Sequence, residues 1–236
     1  MPKGRRKALL LACAIGAAAV AVVLILVLAG DEDAGPNRAH INLASSAGST
    51  NGILPDERRG IPPPAVQQPD LKKAAAEAGC YLELHIDDAG HRHIPPDSPA
   101  PSYKTNPPTS GPHVEPPYQQ ADGAYAEEPK AIDYLHSLEH GRLEIQYAAD
   151  LPETIQLELK GLYDTMYGAA LLFPNNEMPY AVAAATWTNL LACTSYEGRK
   201  TLDAIRAFGK ETWGKYGGEP VSAFPFAGPT PADPRE

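Results

Sequence analysis

Five of the seven histidines lie within one fifty-residue stretch, at positions 91, 93, 113, 136 and 140, and His85 stands just ahead of them. Imidazole is the commonest protein ligand of transition metals and the usual proton carrier near neutral pH. His136 and His140 are four residues apart. On a helix that spacing stacks the two rings on one face, about 6 Å apart along the axis, where they converge on one ion. On a strand the same spacing covers about 13 Å, too far to share a metal. Pro129 and Gly141 bracket a stretch of two or three helical turns, which favours the helix.

His136-x-x-Glu139-His140 also matches the inverted zinc-peptidase signature, with Glu139 as general base. Against hydrolysis stand a foldable body of only about 140 residues and an alternating strand pattern directly after His140. His113 follows Pro107-Pro-Thr-Ser-Gly-Pro112, a string that stiffens a turn through its prolines and frees it at Gly111. Ser110 lies in that turn rather than in a Gly-x-Ser-x-Gly elbow, so turn chemistry outweighs a nucleophile reading. The expected metal set is His113, His136 and His140, with His93 or a water in the fourth position. Glu139 is then an orienting partner, or a base if the site is catalytic. The cofactor implied is one transition-metal ion, zinc or copper, since imidazole suits several metals alike. Met166 and Met178 are possible soft copper ligands, although Met166 falls on an apolar helix stripe.

The elements that must position these groups follow from periodicity. Tyr81–Ile86 reads as a strand. Ten prolines between Pro95 and Pro129 then forbid central strands, because each removes a backbone donor. A loop of that length in a compact domain is functional or disordered. Arg142–Tyr147 alternates, with Leu143, Ile145 and Tyr147 on one face. Asp150-Leu-Pro-Glu153 and Thr194-Ser-Tyr-Glu197 match capping boxes. The helices they open carry Ile155, Leu159, Leu162 and Met166 on one stripe, and Leu202, Ile205 and Phe208 on the other. Ala169–Phe173 and Tyr180–Leu191 read as strands. The expected fold is α+β: a mostly antiparallel sheet with two helices packed on one face, a long proline-rich loop, and an N-terminal transmembrane helix.

That last element rests on Ala8–Ala29, 22 residues without a charge. As a helix it spans about 33 Å, enough for a bilayer core. Lys3, Arg5, Arg6 and Lys7 precede it, and Asp31, Glu32 and Asp33 follow, which predicts the N-terminus inside and the rest outside. A cleaved signal peptide would have a shorter apolar region, about 7–15 residues. Four parts are expected: 1–30, a basic cytoplasmic tip and membrane anchor; 31–79, a Pro/Ala/Gly-rich linker with a short helix near Leu71–Ala78; 80–217, the extracytoplasmic domain; and 218–236, a proline-rich tail. Cys80 and Cys193, the two cysteines outside the apolar run, read first as a disulfide in that compartment, with free thiols or metal ligands as alternatives.

Twenty Lys and Arg face 29 Asp and Glu, and four of the basic groups lie in the first thirty residues. The remaining body is strongly acidic, which repels phosphate backbones and argues against nucleic-acid binding. The partner implied is the membrane, through residues 8–29; no protein partner is legible.

Asn106-Pro-Pro-Thr-Ser-Gly-Pro-His113 and His136-Ser-Leu-Glu-His-Gly141, in that order behind an N-terminal anchor, resemble the bacterial membrane-anchored family catalogued as domain of unknown function 3105. The resemblance covers about Cys80 to Trp213, with Tyr103 and the Ala184-x-x-Trp187 region fitting more loosely. It implies no activity. The expectations are therefore a metal-binding envelope domain, a structural or partner-binding module in which the histidine strings only stabilise the fold, or a small metal-dependent hydrolase.

Overall fold

The computed structural model describes residues 50–166 and 170–219. The expected membrane anchor, its basic flank and most of the expected tail lie outside the described residues. Among the described residues no helix is long and apolar enough to cross a membrane.

The elements in chain order are α1 (Leu71–Glu77), β1 (Cys80–Glu83), β2 (His93–Ile94), β3 (His113–Val114), β4 (Gly123–Ala124), α2 (Ala131–Glu139), β5 (Leu143–Ala148), α3 (Glu153–Asp164), β6 (Ala170–Asn175), β7 (Val182–Thr186), β8 (Asn189–Cys193) and α4 (Arg199–Thr212). Six strands form one sheet in the order β1-β8-β7-β5-β6-β4, and β2 and β3 form a separate pair. The α+β class stands, but the sheet is mixed rather than mostly antiparallel. β1, β8, β7 and β5 pair antiparallel, whereas β5, β6 and β4 run parallel. Two parallel neighbours need a crossover longer than a hairpin, and α3 supplies it between β5 and β6.

β5 alternates as its sequence requires, yet both of its faces are buried. Leu143, Ile145 and Tyr147 enter a core with Leu159, Leu162, Leu202, Ile205 and Phe208, the inward stripes of α3 and α4. On the other face Leu171, Phe173 and Ala185 pack against Tyr134, Leu135 and Leu138 of α2. Helices therefore cover both faces, and there are four of them among the described residues, not two on one side. Burial of both faces is what a sheet with a parallel half demands.

Tyr180–Leu191 is not one strand but the β7–β8 hairpin. No Gly or Pro marks its turn. Thr188 adopts φ 60°, and the Asn189 amide donates to Trp187 O at 2.7 Å and to Thr186 Oγ1 at 3.3 Å. A side chain does there what a turn residue usually does. The two capping boxes also differ: Pro152 and Gly198 occupy the N-cap positions, and neither provides a side-chain cap. At α4 the Glu197 N–H, one residue ahead of the N-cap, donates to Thr201 Oγ1 at 2.9 Å, so Thr201 rather than Thr194 ties the entering chain to the first turn. The short helix near Leu71 is present as α1, capped by Asp70, whose carboxylate accepts from the Lys73 N–H at 2.9 Å.

From residue 50 the segment expected as a linker is laid along the domain. Ile61 N–H donates to Leu157 O at 2.8 Å, and Gln67 and Gln68 N–H donate to Asp203 Oδ2 at 3.2 Å. At Gly60 and Gly161 the backbones approach so closely that a Cβ on Gly161 would sit 1.7 Å from Ile61 O. Cys80 and Cys193 are bonded, and they are directly opposite partners across β1 and β8. The bond thus fastens an edge strand to the sheet.

Candidate metal centre

α2 follows Pro129 and ends as the sequence predicts. His140 is its C-cap, and Gly141 follows with φ 76°. Gly141 N–H donates to Leu138 O and Arg142 N–H to Ser137 O, the paired bonds of a Schellman ending. The helix thereby turns His136 and Glu139, three residues apart, toward the same side. The proline-rich loop supplies the opposing wall. Its β2 and β3 pair parallel in the register His93↔His113, which sets those two histidines side by side.

The turn before His113 is anchored on three sides. Thr188 N–H donates to Thr109 O at 2.8 Å, Ala89 N–H donates to Ser110 Oγ at 2.9 Å, and Tyr103 OH donates to Pro112 O at 2.8 Å. Gly111 has φ 129°, and a Cβ there would meet the Tyr103 ring at 3.2 Å. Ser110 therefore ties two loops together, in line with its reading as turn chemistry.

His93, His113, His136 and Glu139 each bring one donor atom into a group in which all lie within 4.8 Å of one another. His113, His136 and Glu139 are buried, and His93 closes the group from the exposed side. Glu139 Oε2 is 2.8 Å from His113 Nε2 and 3.5 Å from His93 Nε2. Neighbouring donors of a tetrahedral ion with bonds near 2.0–2.1 Å are about 3.3 Å apart. His113 and His136 rings stand edge to face at 4.9 Å, and His93 stacks on His136 at 5.3 Å.

Backbone carbonyls fix which nitrogen faces inward. His113 Nδ1 donates to Gly111 O at 2.8 Å, and His136 Nδ1 donates to Val114 O at 2.5 Å. Nε2 of each ring is left to face the cluster, the arrangement that orients metal-binding histidines. Burial, with His140 alongside, pushes the His136 imidazole down to about 4, so the ring stays neutral and Nε2 keeps a lone pair at neutral pH. Burial alone would raise Glu139, but hydrogen bonds and charge from His113 and His91 outweigh it and hold the carboxyl near about 2. An ionised carboxylate and neutral imidazoles are the forms that bind metals.

A second layer holds Glu139. Its Oε1 contacts His91 Nδ1, and His91 Nε2 is 3.0 Å from Asp88 Oδ2. Asp88 Oδ2 also accepts from Trp187 Nε1 at 3.2 Å, and the Trp187 ring stacks on His91 at 4.5 Å. Trp187 is the hairpin-turn residue, so the β7–β8 turn steadies the carboxylate through two side chains. Burial opposes a charge on His91, but Glu139 and Asp88 raise its pKa on balance.

Of the expected ligands the structure brings His93, His113 and His136 together. His140 belongs to a different group, with His136 and Glu219. Its place in the four-donor set is taken by Glu139, which sequence reasoning held as an orienting partner or base. The signal for Glu139 was present, because positions three apart share a helix face. His91 lies in the histidine-rich stretch although no spacing singles it out, and nothing local points to Glu219 or Asp88. Met166 lies in the core beside α3 and Met178 in a small cluster near Leu190, and the cysteines are bonded to each other. None of these sulfurs reaches the site.

Fold and site together define an α+β domain whose mixed sheet backs a buried histidine–carboxylate cluster able to hold a metal ion. Residues 96–221 match the family described as Protein of unknown function (DUF3105), and the chain belongs to that family. The match takes in His113, His136, Glu139, His140 and Glu219, and leaves α1, β1 and His93 outside. No curated protein and no solved structure matches the chain.

Proposed function

We propose that this chain is a membrane-anchored extracytoplasmic domain that binds one transition-metal ion, zinc or copper, through His93, His113, His136 and Glu139. The observation that carries the reading is the His113–Glu139 pair. His113 faces an acceptor at each ring nitrogen, Gly111 O and Glu139 Oε2. With Nδ1 donating to Gly111 O, Nε2 and the carboxylate face each other over a shared proton or a shared cation, and a tetrahedral ion would part them from 2.8 Å to about 3.3 Å. Three imidazoles and one carboxylate suit Zn(II) and Cu(II) alike. Four protein donors fill a tetrahedral shell, which favours binding over hydrolysis, since a hydrolytic centre keeps a position for water.

The test uses the full chain, purified without a histidine tag and analysed for bound metals. About one ion per chain is expected, lost in His136→Ala and held at least about 10-fold more weakly in His113→Ala and Glu139→Ala, with the fold kept. No bound metal, and no affinity tighter than roughly micromolar, about −8 kcal/mol, would overturn the reading in favour of a structural module.

The location rests on the apolar run at 8–29 and its positive flank, and the Cys80–Cys193 bond supports it, because disulfides persist outside the reducing cytosol. Protease added to spheroplasts should digest or release the domain. Protection equal to that of a cytoplasmic control would reverse the orientation.

A further inference from the structure

His136 Nε2 stands between two donor groups. One is the inner set with His93, His113 and Glu139, and the other joins His136 to His140 and Glu219. His136 and His140 Nε2 atoms are 2.8 Å apart, and His140 Nδ1 is 3.6 Å from Glu219 Oε2. Since His136 Nδ1 is committed to Val114 O, the ring has a single lone pair for both sets. One nitrogen lone pair binds one ion. The two sets are therefore alternatives, not a two-metal centre.

Burial deepens from the outer set inward, apart from His93, the exposed member of the inner set. Glu219 is exposed, His140 is partly buried, and His136, His113 and Glu139 are buried. The chain segment that brings Glu219 here is seated by close backbone contact. A Cβ on Gly214's partner Gly141 would lie 2.9 Å from Gly214 Cα, and one on Gly217 would lie 2.1 Å from Glu139 O. Gly217 has φ 115° and Gly218 φ 87°, conformations that favour glycine. Glycines thus let residues 214–219 lie against the C-terminal end of α2, with Gly218 beside the His91 ring.

Building on the metal-binding reading above, we infer that His140 and Glu219 form an outer, transient position for a divalent transition-metal ion, from which His136 passes the ion to the inner set. The ion first takes Glu219, His140 Nε2 and His136 Nε2. It then exchanges Glu219 and His140 for Glu139, His113 and His93 while His136 stays bound throughout. The move is a ligand exchange and needs no oxidant or reductant. His140 takes the ion as the neutral tautomer that carries its proton on Nδ1, the side facing Glu219, so its Nε2 lone pair is open and no proton has to leave the ring. The rival route is direct access through the exposed ring of His93.

The test follows Co(II) as a spectroscopic probe in the full chain, at equilibrium and in stopped flow. Wild type should hold one ion. His140→Ala and Glu219→Gln should still hold one ion at equilibrium, but load it and release it to a chelator about tenfold more slowly. His113→Ala should retain a weaker ion with a different spectrum, and His113→Ala/His140→Ala should lose it. Wild-type loading rates in both His140→Ala and Glu219→Gln would overturn the relay and leave the inner site intact. So would two ions per wild-type chain, loss of the equilibrium ion in His140→Ala, or no residual binding in His113→Ala. If wild type bound no Co(II), Zn(II) or Cu(II), the metal-binding reading itself would fail, and the relay with it.

Discussion

His113 Nε2 lies 2.8 Å from Glu139 Oε2, although the two residues come from a proline-stiffened turn and a helix that are 26 positions apart in the chain. Both partners are buried. Glu139 is thus a donor held in place rather than a base free to approach a water. Glu139→Gln keeps the side chain's size and removes its charge. The mutant should bind zinc or copper at least roughly 10-fold more weakly, an effect of the order seen when a partner of a metal site is lost. Isothermal titration with each metal measures it. Retention of the ion together with loss of a hydrolytic turnover would instead support the peptidase-like reading of His136-x-x-Glu139-His140.

Acid should withdraw two contributions to the stability of the metal-free domain, one from His136 and one from Glu139. His136 is pushed down to about 4 in the fold by burial and by His140, below the ordinary 6.5. The unfolded chain therefore takes up a proton that the folded one refuses, and this contribution falls as pH drops from about 6.5 toward 4. Glu139 is held near about 2, below its ordinary 4.5, so its contribution is present above 4.5 and is lost as pH falls toward 2. The His136 contribution alone amounts to on the order of 3 kcal/mol. Burial raises Asp122 to about 7 and Asp133 to about 6, shifts that act with the opposite sign in the same window. The deciding quantity is therefore the difference in urea midpoint between wild type and His136→Asn, followed from pH 7.5 to 3. A difference that does not change from pH 7 to 4 would contradict the assignment.

Breaking the Cys80–Cys193 bond should cost about 3–5 kcal/mol, because it closes a long loop in the unfolded chain. The bond joins positions 113 apart and secures β1, an edge strand of only four residues. Reduction, or Cys80→Ala with Cys193→Ala, should lower the thermal midpoint and speed proteolysis near α1 and β1. Unreduced protein should carry no alkylatable thiol at either position by mass spectrometry.

Gly161→Ala separates packing from helix propensity. In an isolated helix alanine is favoured over glycine by about 1 kcal/mol. In α3 the added Cβ would meet Ile61 O at 1.7 Å. The substitution should therefore destabilise the domain, by roughly 1–3 kcal/mol as overpacking does. It should also expose residues 50–64 to protease. A more stable mutant would mean that this segment does not lie on α3 in solution.

Local pattern determined a good deal of this protein. The alternation of Leu143, Ile145 and Tyr147 makes β5, the stripes of α3 and α4 make the core, and Pro129 with Gly141 bounds the helix that carries His136. Those features depend on periods of two and 3.6 residues and on backbone chemistry, which are properties of neighbours in the chain. The two histidine strings were visible as candidates for the same reason. What only the tertiary structure decided depends on partners far apart in sequence. The parallel half of the sheet, the closing of the β7–β8 turn by Asn189, and Thr201 in place of Thr194 at α4 are choices among locally similar options, made by distant packing. So is the division of donors: Glu139 joins His93 and His113 because β2 and β3 lie beside α2, while His140 turns to Glu219 because glycines bring residues 214–219 back over the helix end. A short sequence window carries the type of a ligand, but which ligands meet is set by how those elements pack.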